Sequence, residues 1–265
     1  MGERAVRLAG ERVTVSDTDV HRAFWDLVDA GDWEAATLQA IARLVHDGVY
    51  IDIGAWIGPT VLLAARTASL VVAYEPDPRA ADELRDNIAR NDLTNVEVRQ
   101  RALFDRDGDL PLGPGMLTEL GLSVSSLMYG TAQTTVQSCD ARREALSNEF
   151  IEATVLKIDV EGAEYRLIKA LHAYLRSHQP TLILSIHGVR WRNRIFLPGL
   201  APLNIAISYL CNATERIPLL WRLRSYPFWH INSPKGWQDL SWRQRLKLVG
   251  SLDERELLLS HQPFS

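Results

Sequence analysis

The sequence predicts an α/β fold built on a doubly wound, mostly parallel sheet. Three short apolar runs, at residues 49–53, 70–74 and 96–101, alternate with helical patterns at 59–68 and 79–91. Strands that alternate with helices of this length pack as a parallel sheet with both faces covered. The composition, with 46% hydrophobic and 23% charged residues, is that of an ordinary globular protein. We expect one domain over residues 1–265.

The remaining elements follow the same alternation on both sides of these strands. Apolar residues at helical spacing over residues 17–47, interrupted at Gly31, predict that the segment 1–47 contributes N-terminal helices. Residues 105–130 carry Gly and Pro and are expected to loop over the surface. A Trp- and Arg-rich insertion at 188–227 is predicted to cap one edge of the sheet. Further strands are expected at 134–138, 155–160, 182–186, 228–232 and 256–260, and helices at 141–150 and 163–175.

Charge and cysteine content limit the location and the partners. Two cysteines cannot make a disulfide framework, and no apolar run is long enough to span a bilayer, so a cytoplasmic location is expected. The net charge of −4 argues against a dedicated nucleic-acid binder. Residues 187–250 hold ten Lys or Arg against two acids, so this segment could still meet an anionic substrate or lipid headgroup.

The loop after the first parallel strand is the candidate cofactor site. It runs Asp52-Ile53-Gly54-Ala55-Trp56-Ile57-Gly58, and Glu75-Pro76 follows the next strand, where a carboxylate can accept both hydroxyls of a ribose. The GxGxxG and GxxxxGK[ST] phosphate loops are both missing, which favours a ribose ligand without phosphates, such as S-adenosylmethionine. Its adenine would lie near Ala102. The plain alternatives are a tight strand-to-helix turn and a helix N-terminal charge for Glu75.

Three motifs resemble the FkbM family of class I methyltransferases. They are Tyr50–Gly58, Tyr74–Asp77 with Asn87 and Asn91 downstream, and Leu156-Lys157-Ile158-Asp159-Val160-Glu161-Gly162-Ala163-Glu164; the likeness covers about residues 33–188. It implies a Rossmann-like methyltransferase sheet and methyl transfer from S-adenosylmethionine to an oxygen, often on a sugar, a polyketide or another secondary metabolite. It also implies that Glu34 lies near the cofactor, although a helix N-terminal acid is an equal alternative. The chain departs from the family at Trp56, often Asn, and at Ser185-Ile186-His187, where a carboxylate often precedes the histidine.

Methyl transfer to a hydroxyl needs a group that removes the proton, and four side chains follow the fourth and fifth parallel strands. His187 is the first candidate base because imidazole titrates near neutrality; the alternative is a histidine that only fills a strand end. Asp159 and Glu161 are expected to contact the acceptor or the methionine amine, while Glu164 could simply complement a helix dipole. Asp159, Glu161 and His187 could together hold Mg²⁺.

Arginines and tryptophans directly after the fifth strand suggest an anionic acceptor. Arg190 and Arg192 flank Trp191, and guanidinium groups bind phosphate or carboxylate bidentately. The alternatives are surface arginines that cover an apolar helix, or an amphipathic stretch that rests on an anionic membrane. The leading prediction is an O-methyltransferase for a hydroxyl of a sugar, glycolipid or secondary metabolite. An RNA methyltransferase and a non-catalytic cofactor-binding scaffold are the alternatives, and the sequence does not define the oligomeric state.

Overall fold

Eight strands form the central sheet in a computed structural model of the protein, which describes residues 2–114, 125–126, 134–187, 213–233, 236–250 and 255–264. The strands are β1 Gly2–Leu8, β2 Glu11–Asp17, β3 Val49–Ile53, β4 Leu70–Tyr74, β5 Val96–Arg99, β6 Ala102–Phe104, β7 Gly108–Pro114, β8 Ser125–Ser126, β9 Thr134–Asp140, β10 Ala153–Ile158, β11 Thr181–Ile186, β12 Phe228–Ser233, β13 Gly236–Asp239 and β14 Arg255–Ser260. The helices are α1 Arg22–Ala30, α2 Ala35–Leu44, α3 Pro59–Ala64, α4 Pro78–Arg90, α5 Ala141–Glu144, α6 Asn148–Ile151, α7 Glu164–Ala170, α8 His172–Ser177, α9 over 213–222 and α10 Trp242–Gly250.

The order of strands in this sheet confirms the predicted fold class. The sheet runs β13-β12-β14-β11-β10-β3-β4-β5, and its five strands from β11 to β5 are parallel. The other three pair antiparallel at one side. The chain therefore winds outward in both directions from β3, and the carboxyl ends of β3, β4, β10 and β11 meet at one edge.

Alternate residues of the buried strands contribute to two separate cores. Val49, Ile51 and Ile53 of β3 belong to a cluster on one face of the sheet, with helices α7 to α9. Tyr50 points the other way, into a cluster with α1 to α4. Successive side chains on a strand face opposite sides, so a continuous apolar run is what a strand covered on both faces requires.

The N-terminus differs from the helical prediction for residues 1–47. Residues 2–17 form an antiparallel hairpin in which Leu8 pairs with Glu11, and only α1 and α2 are helical. Gly10, with φ +94°, makes the turn, and Val6, Leu8, Val13 and Val15 are buried at alternate positions. This period-two pattern was the signal that the helical interpretation overlooked. Two asparagines hold the hairpin: Asn87 of α4 accepts from the Ser16 N–H, and Asn91, directly after that helix, accepts from the Thr14 N–H.

Several other helix and strand boundaries differ from the sequence prediction. The helices expected at 141–150 and 163–175 are each broken in two. The surface loop expected at 105–130 contains β7, whose Leu110 and Leu112 are buried in a small sheet with β6, β8 and β9. Both β13 and α10 were missed by sequence reasoning.

The predicted insertion at 188–227 is described only from residue 213 onward. There α9 places Leu219 and Leu223 in the same core as β10 and β11, and Arg216 is buried beside them. The inner face of α9 therefore belongs to the core, and residues 188–212 of the predicted cap lie outside the described residues. Among the described residues, no helix has both the length and the apolar composition needed to cross a membrane.

Candidate active site

A line of buried charges crosses the carboxyl edge between β3 and β10. The Lys157 ammonium lies 3.5 Å from a carboxylate oxygen of Asp52 and 3.5 Å from one of Asp159. Burial lowers the pKa of Lys157, but the two carboxylates outweigh it and raise that pKa overall. Burial works in the opposite direction on Asp159, where the charges of Lys157 and His187 prevail and lower the pKa of the carboxyl. Lys157 therefore favours the ionised form of both acids, although burial has the larger effect on Asp52 and raises the pKa of that carboxyl.

Asp52 is fully buried, which favours a structural role over the direct cofactor contact that the sequence predicted. Its Oδ2 accepts from the Thr60 hydroxyl at 2.6 Å and from the Tyr50 hydroxyl at 3.1 Å. Tyr50 stands two residues earlier on the same face of β3, and Thr60 lies in the first turn of α3. Asp52 thus fixes the helix that follows the loop, and it holds Lys157 in place.

The two glycines of the loop make room for protein atoms. A Cβ on Gly54 would lie 1.8 Å from the Asp159 carbonyl oxygen, and one on Gly58 would lie 2.3 Å from a Leu84 methyl. Both glycines have positive φ, at +90° and +95°. The absence of a side chain at these two positions therefore lets the loop pack against the end of β10 and against α4.

Trp56, between these glycines, joins the loop to an aromatic cluster on α1. Its ring centroid lies 4.5 Å from that of Phe24 and 5.2 Å from that of His21, both edge-on. Trp56 has φ +50°, and its backbone N–H donates to Glu75 Oε2 at 2.8 Å. Trp56, which stands where the family often has Asn, therefore anchors the loop through its ring and donates a backbone hydrogen bond to Glu75. Ala55 beside it is buried, with its N–H bonded to the Tyr74 carbonyl.

Glu75 lies at the end of β4, as the sequence predicted, and both of its oxygens are engaged by the backbone. Its Oε1 accepts from the Asp77 N–H at 2.8 Å, across Pro76. Burial raises the pKa of Glu75 to about 7, against the opposing effect of these two backbone hydrogen bonds. Each carboxylate oxygen has a second lone pair, so the group can still accept from a diol. Ala102, proposed near the adenine, is buried at the start of β6.

Glu34 precedes α2 with a strained backbone, φ 39° and ψ 37°, and reaches the same buried edge. Burial, followed by the charges of Glu256 and Asp159, raises its pKa well above the usual range for a carboxyl. Its Oε2 is buried without a hydrogen-bond partner among the described residues. Glu256, on β14, accepts from the Thr37 hydroxyl at 2.8 Å and from Asn232. Glu34 thus offers one buried carboxyl oxygen without a described partner beside Asp159 and Lys157, and its raised pKa favours the protonated carboxyl.

His187 is surrounded by three carboxylates. Its Nδ1 lies 2.7 Å from Glu164 Oε1, and its Nε2 lies 3.4 Å from Glu161 and 3.7 Å from Asp159. Burial lowers the pKa of His187, but the charges and hydrogen bonds of these acids outweigh it and raise it to about 12. These contacts favour the protonated imidazole, which cannot accept a further proton, so they weigh against the predicted role of His187 as the base. Burial raises the pKa of Glu161, which makes its carboxylate the better acceptor.

Asp159, Glu161 and His187 could hold a divalent cation in place of the proton on Nε2 of the imidazole. One donor atom from each of Asp159, Glu161 and His187 lies within 4.8 Å of the others. Glu164 would then orient the histidine through Nδ1, as carboxylates do for metal-bound imidazoles. One donor of the three is nitrogen, however, whereas Mg²⁺ prefers oxygen throughout, so the predicted Mg²⁺ fits less well than a softer ion.

The structure therefore brings together Glu34, Asp52, Glu75, Asp159, Glu161 and His187 at one edge of the sheet. Arg190 and Arg192 lie outside the described residues. Sequence reasoning missed Glu256, because a residue more than two hundred positions from Glu34 gives no local signal. Tyr50 and Thr60 were also missed, although the alternation of β3 places Tyr50 on the face of Asp52.

Comparison with known proteins places this geometry in a family. A strand edge with a glycine-containing loop, an acid at the next strand and a buried acidic cluster defines a nucleotide-type cofactor site on an α/β fold. Residues 52–217 match the Methyltransferase FkbM domain, so the chain belongs to the FkbM family of methyltransferases. This confirms the resemblance that the three motifs predicted.

One curated relative and two solved structures illustrate the likeness. Hexuronic acid methyltransferase AglP of Haloferax volcanii is 28% identical over 143 residues, which cover 54% of this chain and 57% of that protein. The chain thus matches little more than half the length of this relative. Methyltransferase FkbM from Methylobacillus flagellatus has a TM-score of 0.44 at 13% identity, covering 92% of this chain and 56% of that one. The M. jannaschii protein TYW2 in complex with AdoMet has a TM-score of 0.44 at 14% identity, covering 97% and 84%.

Proposed function

We propose that this methyltransferase transfers the methyl group of S-adenosylmethionine to a hydroxyl of a sugar, glycolipid or secondary metabolite. The observation that carries the proposal is the placement of two groups of side chains. Glu75 ends β4, and the cluster of Asp159, Glu161 and His187 follows β10 and β11, all at the edge around β3. Ligands bind beyond the carboxyl ends of strands in open α/β sheets.

The residues present fit this cofactor. Glu75 can accept the two ribose hydroxyls with its free lone pairs, and the unpartnered Oε2 of Glu34 can accept from the methionine ammonium. Trp56 and Ala55 line the loop between them. When bound, S-adenosylmethionine supplies an electrophilic methyl group on a positively charged sulfur. The pKa of Asp159 is lowered, and its carboxylate favours a cation at this edge.

Glu161 is proposed as the group that takes the acceptor's proton. It is partly exposed, so an acceptor can reach it, and burial raises the pKa of its carboxyl. His187 stays protonated between the acids, and Glu164 holds it through Nδ1 at 2.7 Å. The imidazolium then orients Glu161 and Asp159 and partly offsets their charge. A hydroxyl is a poor nucleophile until its proton leaves, so this transfer is the step that the protein must supply.

The similarity to a hexuronic acid methyltransferase favours a uronic acid or a related sugar as the acceptor. Such an acceptor is anionic, which agrees with the predicted roles of Arg190 and Arg192. We also propose a cytoplasmic location; Cys139, the free cysteine among the described residues, is buried.

A panel of acceptors tests the proposal. Free uronic acids, uronic acid glycosides and neutral glycosides are incubated with S-adenosylmethionine, and formation of S-adenosylhomocysteine is followed with and without EDTA. We expect turnover with glycosides. The chelator should have little effect, because the protonated imidazole of His187 already supplies a positive charge between the acids. Loss of activity on chelation and its recovery with a divalent ion would assign Asp159, Glu161 and His187 to a metal instead. Cofactor binding without turnover on any acceptor, or turnover on RNA alone, would contradict the proposal.

A further inference from the structure

Two neighbouring helices carry an unusual concentration of exposed tryptophan and basic side chains. On α9 and its C-terminal end, Trp221 is 56% exposed and Arg224 lies over its ring, 3.7 Å from the centroid. On α10, Trp242 is 65% and Leu246 60% exposed, with Arg243 and Lys247 exposed next to them. These six residues, with Arg222, are called here the Trp/Arg surface.

The two helices are neighbours in the fold. The buried Arg216 of α9 donates through Nη1 to the Leu248 carbonyl of α10 at 3.0 Å. Leu219 and Leu223 of α9 share one core with Leu248. The inner faces of both helices are therefore packed into the core. The exposed indoles of Trp221 and Trp242 lie on the outer sides of these amphipathic helices and do not contribute to that core.

The charge around this surface is positive. Residues 213–250 contain seven Lys or Arg and two acids, whereas the chain as a whole is acidic at −4. No ion pair links Arg222, Arg224, Arg243 or Lys247 to an acid within the described ranges. His172 stacks on Trp221, with ring centroids 6.0 Å apart. Burial, followed by the positive charges of Arg222, Arg176 and Arg224, lowers the pKa of this histidine.

We propose that the Trp/Arg surface docks on an anionic lipid bilayer. Tryptophan favours the boundary between headgroups and acyl chains, and basic side chains beside it are attracted to an anionic leaflet. The excess of basic side chains at this surface, on a chain whose net charge is −4, favours this face over acidic parts of the protein in an encounter with an anionic leaflet. A protein partner would have to be strongly acidic and also accept two indoles; a bilayer offers both features at once.

Docking at this surface would also set the orientation of the site. Arg216 lies 3.4 Å from the Tyr165 hydroxyl through Nε, and that hydroxyl donates to the His187 carbonyl at 2.7 Å. The helices that meet the bilayer are therefore tied by two contacts to the strand end that carries His187. The inference does not depend on the identity of the acceptor, because binding to lipid can be measured without turnover.

Co-sedimentation with vesicles tests the docking surface. The full chain is mixed with vesicles of phosphatidylcholine alone or of phosphatidylcholine with phosphatidylglycerol, at low and at high salt. We expect binding to the anionic vesicles that weakens with salt. The double variant Arg243→Glu/Lys247→Glu is expected to bind more than about 25-fold less, since the loss of each basic side chain near the leaflet costs about fivefold and each new acid is also repelled. Trp242→Ala should weaken binding at both salt concentrations.

Matched controls lie elsewhere on the surface. Arg79→Glu changes an exposed arginine of α4, and Leu146→Ala removes a side chain that is 77% exposed between α5 and α6. Neither should change vesicle binding. Equal binding to neutral and anionic vesicles, or an equal loss in the controls, would overturn the inference. So would light scattering that shows a dimer which Trp242→Ala dissociates, because the surface would then bind a second copy of the chain.

Discussion

Glu75→Gln separates the proposed binding role of this carboxylate from its role in packing. Glutamine keeps the size of the side chain and removes its charge. In the wild-type protein, burial raises the pKa of Glu75 from 4.5 to about 7. A shift of this size corresponds to about 3 kcal/mol between the charged and the neutral carboxyl.

The sign of this effect on stability is fixed by the direction of the shift. A carboxyl with a raised pKa in the folded state contributes stability that is fully present below pH 4.5 and is lost as the pH rises through about 7. The free energy of unfolding of the wild-type protein should therefore fall by about 3 kcal/mol from this group between these limits. Glu75→Gln should lack that part of the pH dependence.

Cofactor binding should show the opposite trend, because the ribose hydroxyls need a charged acceptor. For the wild-type protein, the Kd for S-adenosylmethionine should rise about tenfold for each pH unit below 7. In Glu75→Gln the affinity at pH 8 should be about 30- to 100-fold weaker, from the loss of charge-assisted hydrogen bonds, and nearly independent of pH.

Isothermal titration calorimetry between pH 5 and pH 8 measures both trends. Glu152→Gln, an exposed position after α6, is the matched control and should bind the cofactor as the wild-type protein does. If Glu75→Gln bound with wild-type affinity at pH 8, the carboxylate would have no part in the cofactor site.

The remaining predictions concern the loop, the charges and the metal. Gly54→Ala should lower the free energy of unfolding in urea by more than about 3 kcal/mol, because the new Cβ would lie 1.8 Å from a carbonyl oxygen. Gly10→Ala has a similar φ but open space around the Cβ, so it should lower this free energy by about 1 kcal/mol. Equal losses in the two variants would contradict the packing argument. Lys157→Met should lower the free energy of unfolding by about 3–5 kcal/mol, because it leaves two carboxylates without their buried cation. A smaller loss of stability in thermal unfolding would mean that water solvates these carboxylates in place of the ammonium. Glu161→Gln should lower kcat by about 10²- to 10⁴-fold with an unchanged Kd for the cofactor, and His187→Ala, which removes only the orienting cation, should lose less; the reverse order would restore His187 as the base.

The parallel part of the fold could be predicted from the sequence because its signals are local. The apolar run at β3 and the Glu75-Pro76 step after β4 each carry their own pattern, and the structure confirms both strands to the residue. The hairpin β1–β2 also had a local signal, in the alternation of buried residues around Gly10. The helical periodicity of residues 17–47 covers a longer stretch than this alternation and therefore dominates the prediction for the N-terminal segment.

The electrostatics of the site could not be predicted in the same way. The sequence places Asp159, Glu161 and His187 at neighbouring strand ends, but the effect of three acids on one imidazole depends on distances that only the fold defines. For this reason only the structure indicates that the surroundings of His187 favour its protonated form. The contact of Glu34 with Glu256 depends on β14 joining the sheet beside β11, which no local pattern reveals.

Transfer of a labelled methyl group tests the central claim most directly. The protein is incubated with S-adenosylmethionine carrying a ¹³C methyl group and with a uronic acid glycoside, and the product is examined by NMR before and after mild alkali. Our account predicts an alkali-stable methyl ether in the wild-type protein and a strong loss in Glu161→Gln, because only a hydroxyl needs a base. An alkali-labile methyl ester formed equally well by Glu161→Gln would contradict the account, since a carboxylate acceptor carries no proton to remove.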